Sequence, residues 1–166
     1  MASLFNRPAP QLKLWAHTGE IYDLKPGSKG KPTVIFFYPK SGDESVGAYA
    51  CTKEACSFRD HIASNSLFSP DKLEIVGISG DTVDTQRTFA KQHSLPYPIL
   101  SDTTGEARRA YKVGQLRSRV MGLMVGRVTY VVDSRGIVID GLDTTSTALS
   151  HSQHCRFVSQ VLQNLE

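Results

Sequence analysis

Thr33-Val34-Ile35-Phe36-Phe37-Tyr38 is an unbroken run of β-branched and aromatic residues, closed by Pro39. A run without polar alternation reads as a strand covered on both faces, the kind found in the middle of an α/β sheet. Upstream, Lys25-Pro26-Gly27-Ser28-Lys29-Gly30-Lys31-Pro32 is a breaker-rich loop, and Leu12, Leu14 and Ile21 mark short strands around the turn His17-Thr18-Gly19-Glu20. Downstream, Pro39 to Tyr49 reads as a Ser/Gly-rich loop, followed by a helix predicted from about Cys51 to Ser64. Leu73 to Ser79 is a second buried strand, and Asp81 and Thr82 can cap a helix that Leu95-Pro96 stops. Tyr97 to Leu100 is short and extended, and Asp102 can cap a helix through Glu106–Tyr111. Arg127–Val132 and Ile137–Ile139 flank the turn Asp133-Ser134-Arg135-Gly136 as a hairpin. The tail from Ser150 to Glu166 sets Cys155, Val158, Val161, Leu162 and Leu165 at helical spacing. The pattern predicts an α/β sandwich with a mixed central sheet flanked by helices, built as a single domain over residues 1–166.

Composition narrows the function classes. At 166 residues, 40% hydrophobic and 21% charged, the chain has an ordinary globular balance. A net charge of +3 is too small to indicate nucleic acid, and Arg108-Arg109 and Arg117-x-Arg119 read as a solvated face. No apolar run approaches the ~18 residues of a membrane helix. Met1 to Leu14 lacks an uncharged hydrophobic core with a small-residue cleavage site, so no export signal is expected. Three cysteines are too few for a disulfide scaffold.

Cys51 falls at the predicted start of a helix, where unpaired N–H groups and the positive dipole end favour a thiolate. Such a position lowers a cysteine pKa, and Lys53 and a guanidinium brought in by the fold would add to the effect. The bland alternative is a small buried hydrophobe. Cys56 lies five residues on. In a continuous helix that spacing puts the Cα atoms roughly 8–9 Å apart. Disulfides tolerate about 4.4–6.8 Å, so pairing requires the first turns to unwind. C-x4-C without a second pair is a weak zinc signal, and no C-x-x-C occurs. His17, His61, His93, His151 and His154 are scattered and expected at solvated positions. Cys155, on the apolar stripe of the last helix, is expected to be buried core.

Tyr38-Pro39-Lys40 together with Cys51-Thr52-Lys53-Glu54-Ala55-Cys56-Ser57-Phe58-Arg59-Asp60 resembles the peroxiredoxin Q family, also called bacterioferritin comigratory protein, of the AhpC/TSA type. Pro8–Leu12, Ile75–Asp81, Leu95–Asp102 and Gly126–Asp133 are similar to further family segments in the same order. The resemblance implies a thioredoxin-like fold and a thiol peroxidase that uses no metal or organic cofactor. It implies Cys51 as the peroxidatic cysteine, attacking hydrogen peroxide or an organic hydroperoxide, and Cys56 as the resolving cysteine of an intramolecular disulfide. Arg127 matches the family arginine that supports thiolate and peroxide. A thioredoxin-type donor, a monomeric state and a cytoplasmic or nuclear location are the corresponding expectations, with an organelle left open.

The sequence departs from the family pattern Pro-x-x-x-Thr-x-x-Cys. Ala48 stands where the threonine hydroxyl belongs, Tyr49-Ala50 replaces Pro-Gly, and Pro39 lies twelve residues before Cys51 where the family spacing is seven. Ser45, in this longer loop, is the candidate to supply the hydroxyl, and Pro39 the candidate pocket wall. The alternative reading is a non-enzymatic peroxide-responsive sensor or a thioredoxin-fold binding module with an impaired site.

Overall fold

The structure, a computed structural model, describes residues 3–41, 49–118, 122–145 and 151–165. The elements run β1 (Leu12–Ala16), β2 (Ile21–Leu24), β3 (Thr33–Phe37), α1 (Tyr49–Ser64), a 3-10 turn (Ser66–Phe68), β4 (Glu74–Ser79), α2 (Val83–Gln92) and β5 (Ile99–Ser101). They continue with α3 (Glu106–Ala110), β6 (Gln115–Ser118), β7 (Gly122–Val125), β8 (Val128–Val132), β9 (Val138–Asp143) and α4 (His151–Leu165).

Seven strands form one mixed sheet in the order β2-β1-β5-β4-β3-β8-β9. The run Thr33–Phe37 is near its centre: β3 pairs parallel with β4 and antiparallel with β8. Its residues are all buried because both faces are covered. Val34, Phe36 and Tyr38 join Phe58, Phe68, Phe89 and Val158 in the core beneath α1, α2 and α4. Ile35 and Phe37 point the other way, to Leu100, Tyr111, Val125 and Tyr130. This two-sided alternation is the strand period expressed in a sandwich. Each such side chain contributes about 1.5–3 kcal/mol by leaving water.

The sequence-based helices and strands recur with small shifts. Thr82 caps α2, its hydroxyl accepting from Thr85 N–H at 3.3 Å. Asp102 serves α3 from outside the helix: its carboxylate accepts from Ala107 N–H and Arg108 N–H, both at 2.9 Å, while Gly105 takes the cap position at φ 75°. The β6–β7 hairpin, a separate two-stranded sheet, is an element that the sequence pattern does not announce, because each strand is only 4 residues long. Among the described residues no helix is long and apolar enough to cross a membrane.

Gly77 in β4 lets the strand pass under an aromatic cluster. A Cβ there would meet the Phe36 ring at 2.7 Å and Ile99 Cδ1 at 2.8 Å. Phe36 has little freedom to yield, being stacked on Phe58 at 4.6 Å and edge-on to Tyr97 at 5.7 Å. Gly77→Ala is expected to destabilise the fold by about 1–3 kcal/mol through overpacking, read as a lower midpoint in denaturant with unchanged slope. A midpoint equal to wild type would show that the cluster absorbs a methyl group without strain.

Candidate active site

Topology brings Arg127 to Cys51 across 76 positions of sequence. The β3–β8 ladder ends with Phe37 opposite Val128, so the residue before Val128 arrives beside the end of β3. Alternation along β8 then sends Arg127 and Thr129 to the side of Val131, under α1 and α4. The opposing face of α1 carries Cys51, Glu54, Ala55 and Phe58, all buried and spaced as one helical stripe. Arg127 Nη2 donates to Cys51 Sγ at 3.1 Å, and Nη1 donates to the Glu54 carboxylate.

The backbone of Arg127 is itself held. Its N–H donates to Thr145 Oγ1 at 3.1 Å, and its carbonyl accepts from Thr144 N–H at 2.9 Å. Gly126 makes that close approach possible, since a Cβ there would sit 2.3 Å from Thr145 Oγ1. His154 on α4 ties the same region together: its ring nitrogens bond Thr129 Oγ1 at 2.7 Å and Thr144 Oγ1 at 2.8 Å. The imidazole also lies 4.0 Å from Glu54 Oε1, an oxygen with no hydrogen-bond partner among the described residues.

The electrostatics correct one expectation. Cys51 is the third residue of α1, only 3% exposed, and burial pushes its thiol up. The Arg127 charge, the Lys40 N–H and the Arg127 hydrogen bond pull it down, while Glu54 pushes it up again; the balance lies above the ordinary value. Helix position alone therefore does not produce a lowered thiol, because desolvation outweighs it. Burial likewise raises Glu54 to about 7 against the pull of Arg127. Burial, then the Arg127 charge, hold His154 down to about 4, so the imidazole is neutral near pH 7. The site is thus one guanidinium between two buried acids whose ionisations are coupled.

His154 also corrects the prediction of a solvated histidine, being fully buried. Glu54 was not singled out from sequence; the available signal was its register between Cys51 and Phe58 on an otherwise apolar stripe. Cys56 is half-buried on the same helix, and Lys53 is exposed to solvent. Cys155 is 1% exposed, and burial pushes its thiol up to about 12. Ser45 and Ala48 lie outside the described residues. Pro39 is half-buried and, with Lys40, Asp81, Arg108, Arg109 and Met124, lines a cleft of about 310 Å³ next to the site; Cys51 and Arg127 are not among its walls. Among the described residues no group of three His, Cys, Asp or Glu is arranged to hold a metal ion.

Comparison with known proteins gives this geometry its family. A model of the AhpC/TSA family matches residues 5–140. Peroxiredoxin Q, chloroplastic, of Sedum lineare is 44% identical over 110 residues, covering 66% of this chain and 53% of the relative. The Populus jackii protein of the same name is 43% identical over 110 residues, covering 66% of this chain and 46% of its own length. The chain thus spans about half the length of the curated relatives it matches. Among solved structures, peroxidoxin BcpB from Mycobacterium tuberculosis superposes with a TM-score of 0.80 at 30% identity, over 98% of this chain and 97% of that one. Xanthomonas campestris peroxiredoxin Q, at 22% identity and a TM-score of 0.74, covers 92% of this chain and 90% of its own and supports the thioredoxin-like fold alone. The chain belongs to the AhpC/TSA family, and within it the likeness is to peroxiredoxin Q.

Proposed function

We propose that the protein is a thiol-specific peroxidase that reduces hydrogen peroxide and organic hydroperoxides, with Cys51 as the peroxidatic residue. The observation that carries this reading is the 3.1 Å bond from Arg127 Nη2 to Cys51 Sγ inside a buried site. The Cys51 thiolate attacks one peroxide oxygen, forming an S–O bond as the O–O bond breaks. The second oxygen leaves with the electron pair and takes up a proton, giving water or an alcohol. A guanidinium keeps its charge and offers fixed donors, so Arg127 meets the negative charge as it develops. Cys51 is left as a sulfenic acid.

Cys56 then acts as the resolving residue: its sulfur attacks the sulfenic sulfur, water leaves and a disulfide forms. Both cysteines belong to the continuous helix α1, whose geometry keeps them roughly 8–9 Å apart at Cα. The first turns of α1 must unwind for the bond to close. A thioredoxin-type dithiol returns both cysteines to thiols by exchange and becomes a disulfide itself. Pro39 walls the approach through the neighbouring cleft, and Ser45 supplies the hydroxyl that Ala48 lacks. Glu54 sets when Arg127 is available: a protonated Glu54 leaves the guanidinium to the thiolate, whereas an ionised Glu54 competes for it. The relatives named chloroplastic make an organelle the first compartment to test, ahead of cytosol and nucleus.

The burial of Cys51 favours one second reading, a peroxide sensor that oxidises once and stops. Peroxide consumption coupled to thioredoxin, thioredoxin reductase and NADPH separates the two. The wild-type chain is expected to consume many equivalents, Cys51→Ser none, and Cys56→Ser a single equivalent without thioredoxin recycling. Arg127→Gln should lower the rate about 10²-fold, the scale of losing one preorganised donor. A wild-type protein that stops after one equivalent is a sensor and not a peroxidase.

Glu54 also predicts a pH dependence of stability. Its folded pKa, about 7, lies above the ordinary 4.5, so the folded state holds the proton more tightly. The resulting stabilisation is present below about pH 4.5 and lost as pH rises to about 7. His154 acts in the opposite sense, losing stability as pH falls from 6.5 towards about 4, and this contribution is shared by wild type and Glu54→Gln. The melting temperature of wild type minus that of Glu54→Gln should therefore fall between pH 4.5 and 7. Parallel curves would show that Glu54 does not titrate there.

A further inference from the structure

The β8–β9 ladder keeps its register to Val128 opposite Asp143, where β8 begins and β9 ends. Arg127 and Thr144 form the next rung, outside both strands, through Thr144 N–H donating to Arg127 O at 2.9 Å. Ladder ends fray unless something holds them. On one side Asp143 holds this one: its carboxylate accepts from Thr145 N–H at 2.9 Å and from Thr145 Oγ1 at 2.6 Å, and Thr145 Oγ1 accepts the Arg127 N–H at 3.1 Å. On the other side stands His154, fully buried on α4. Its Nε2 bonds Thr144 Oγ1 at 2.8 Å, and its Nδ1 bonds Thr129 Oγ1 at 2.7 Å. One ring thus spans the rung, with one nitrogen on the strand that follows Arg127 and the other on the residue whose N–H holds the Arg127 carbonyl. Arg127 Nη2 in turn donates to Cys51 Sγ at 3.1 Å. From α4 to the sulfur the contacts run unbroken: His154 to Thr144, Thr144 to Arg127, Arg127 to Cys51.

We propose that His154 is a positioning residue for Cys51: by pinning Thr144 and Thr129 it fixes the backbone at Arg127 and keeps the guanidinium aimed at the sulfur. The inference rests on the reading of Cys51 as the reacting thiol. In this role His154 touches neither the sulfur nor a peroxide; it acts through Arg127. The charged groups around it are Glu54 on α1, Arg127 before β8 and Asp143 at the end of β9. Those that bear on Cys51 are Arg127 and Glu54.

Position and charge separate cleanly at this residue. The imidazole is neutral near pH 7, so exchanging it or its threonine partner for another neutral side chain changes no charge beside Cys51. A guanidinium that swings off the sulfur supports the thiolate less, and the pH midpoint of the Cys51 reaction rises. The test is the pH profile of Cys51 alkylation by iodoacetamide, read on the Cys51 peptide by mass spectrometry in the full chain. Thr144→Val removes the hydroxyl that His154 holds and keeps the Thr144 N–H; it is expected to raise the midpoint by about half to one pH unit. His154→Asn reaches only the place of Nδ1 and should raise it similarly, whereas His154→Gln sets an amide at the place of Nε2 and should recover most of the loss. With Arg127→Gln already present, Thr144→Val should add no further rise, because the group it positions is gone. Tyr111→Phe loses a bond to Pro10 O on the other face of the sheet; it should lower the melting temperature and leave the midpoint in place.

An unchanged or lowered midpoint in Thr144→Val or His154→Asn overturns the proposal, as does an equal rise in His154→Gln, in Tyr111→Phe or on top of Arg127→Gln. The peroxidase reading fails differently: Thr144→Val still moves the Cys51 midpoint, but the wild-type chain does not turn over peroxide.

Discussion

A guanidinium buried beneath two helices must be surrounded by partners or the fold cannot hold it. Arg127 is 8% exposed and lies between the Glu54 carboxylate and the Cys51 sulfur. Much of the surrounding structure can be understood as satisfying that charge. The β3–β8 register delivers the side chain, Gly126 and the threonines at 144 and 145 fix its backbone, and the buried stripe of α1 supplies both acids. Neither acid is comfortable as an anion at this depth, since burial raises both. One cation supports one of them well, and the two compete for it.

The helix that presents Cys51 also restrains it. While α1 is intact, the thiol faces Arg127 and stays apart from Cys56. A Cys51–Cys56 disulfide would require the first turns to open, so under the peroxidase reading the element that builds the site must come apart to form it. Cys155 is set deep in the core shared by α1 and α4, where its thiol is hard to ionise, and this distinguishes it from the other two cysteines. Under that reading, local stability at the start of α1 is a functional quantity as well as a structural one.

Local pattern carried the fold a long way. The run Thr33–Tyr38 announced a central strand because both its faces are buried, and the turn at residues 133–136 announced the β8–β9 hairpin through its Asp and Gly. The pairing of Cys51 with Arg127 came from family likeness, since no local signal joins residues 76 apart. Three features remained illegible for a common reason. His154 reads as polar, and only the threonines of β8 and of the segment after β9 make its burial tolerable. Glu54 reads as a helix surface residue until Arg127 arrives opposite it. The elevated Cys51 thiol reflects desolvation, which depends on what covers the helix and not on its sequence. Each is a tertiary effect that overrides what the residue type suggests in isolation.

The central claim is that Cys51 takes the oxidising equivalent and Cys56 resolves it. The most direct measurement is peptide mapping of the reduced protein after one equivalent of hydrogen peroxide. The account predicts a single linked peptide joining Cys51 to Cys56, with Cys155 still a thiol. A Cys51–Cys155 link, or oxidation of Cys56 while Cys51 stays reduced, would contradict it.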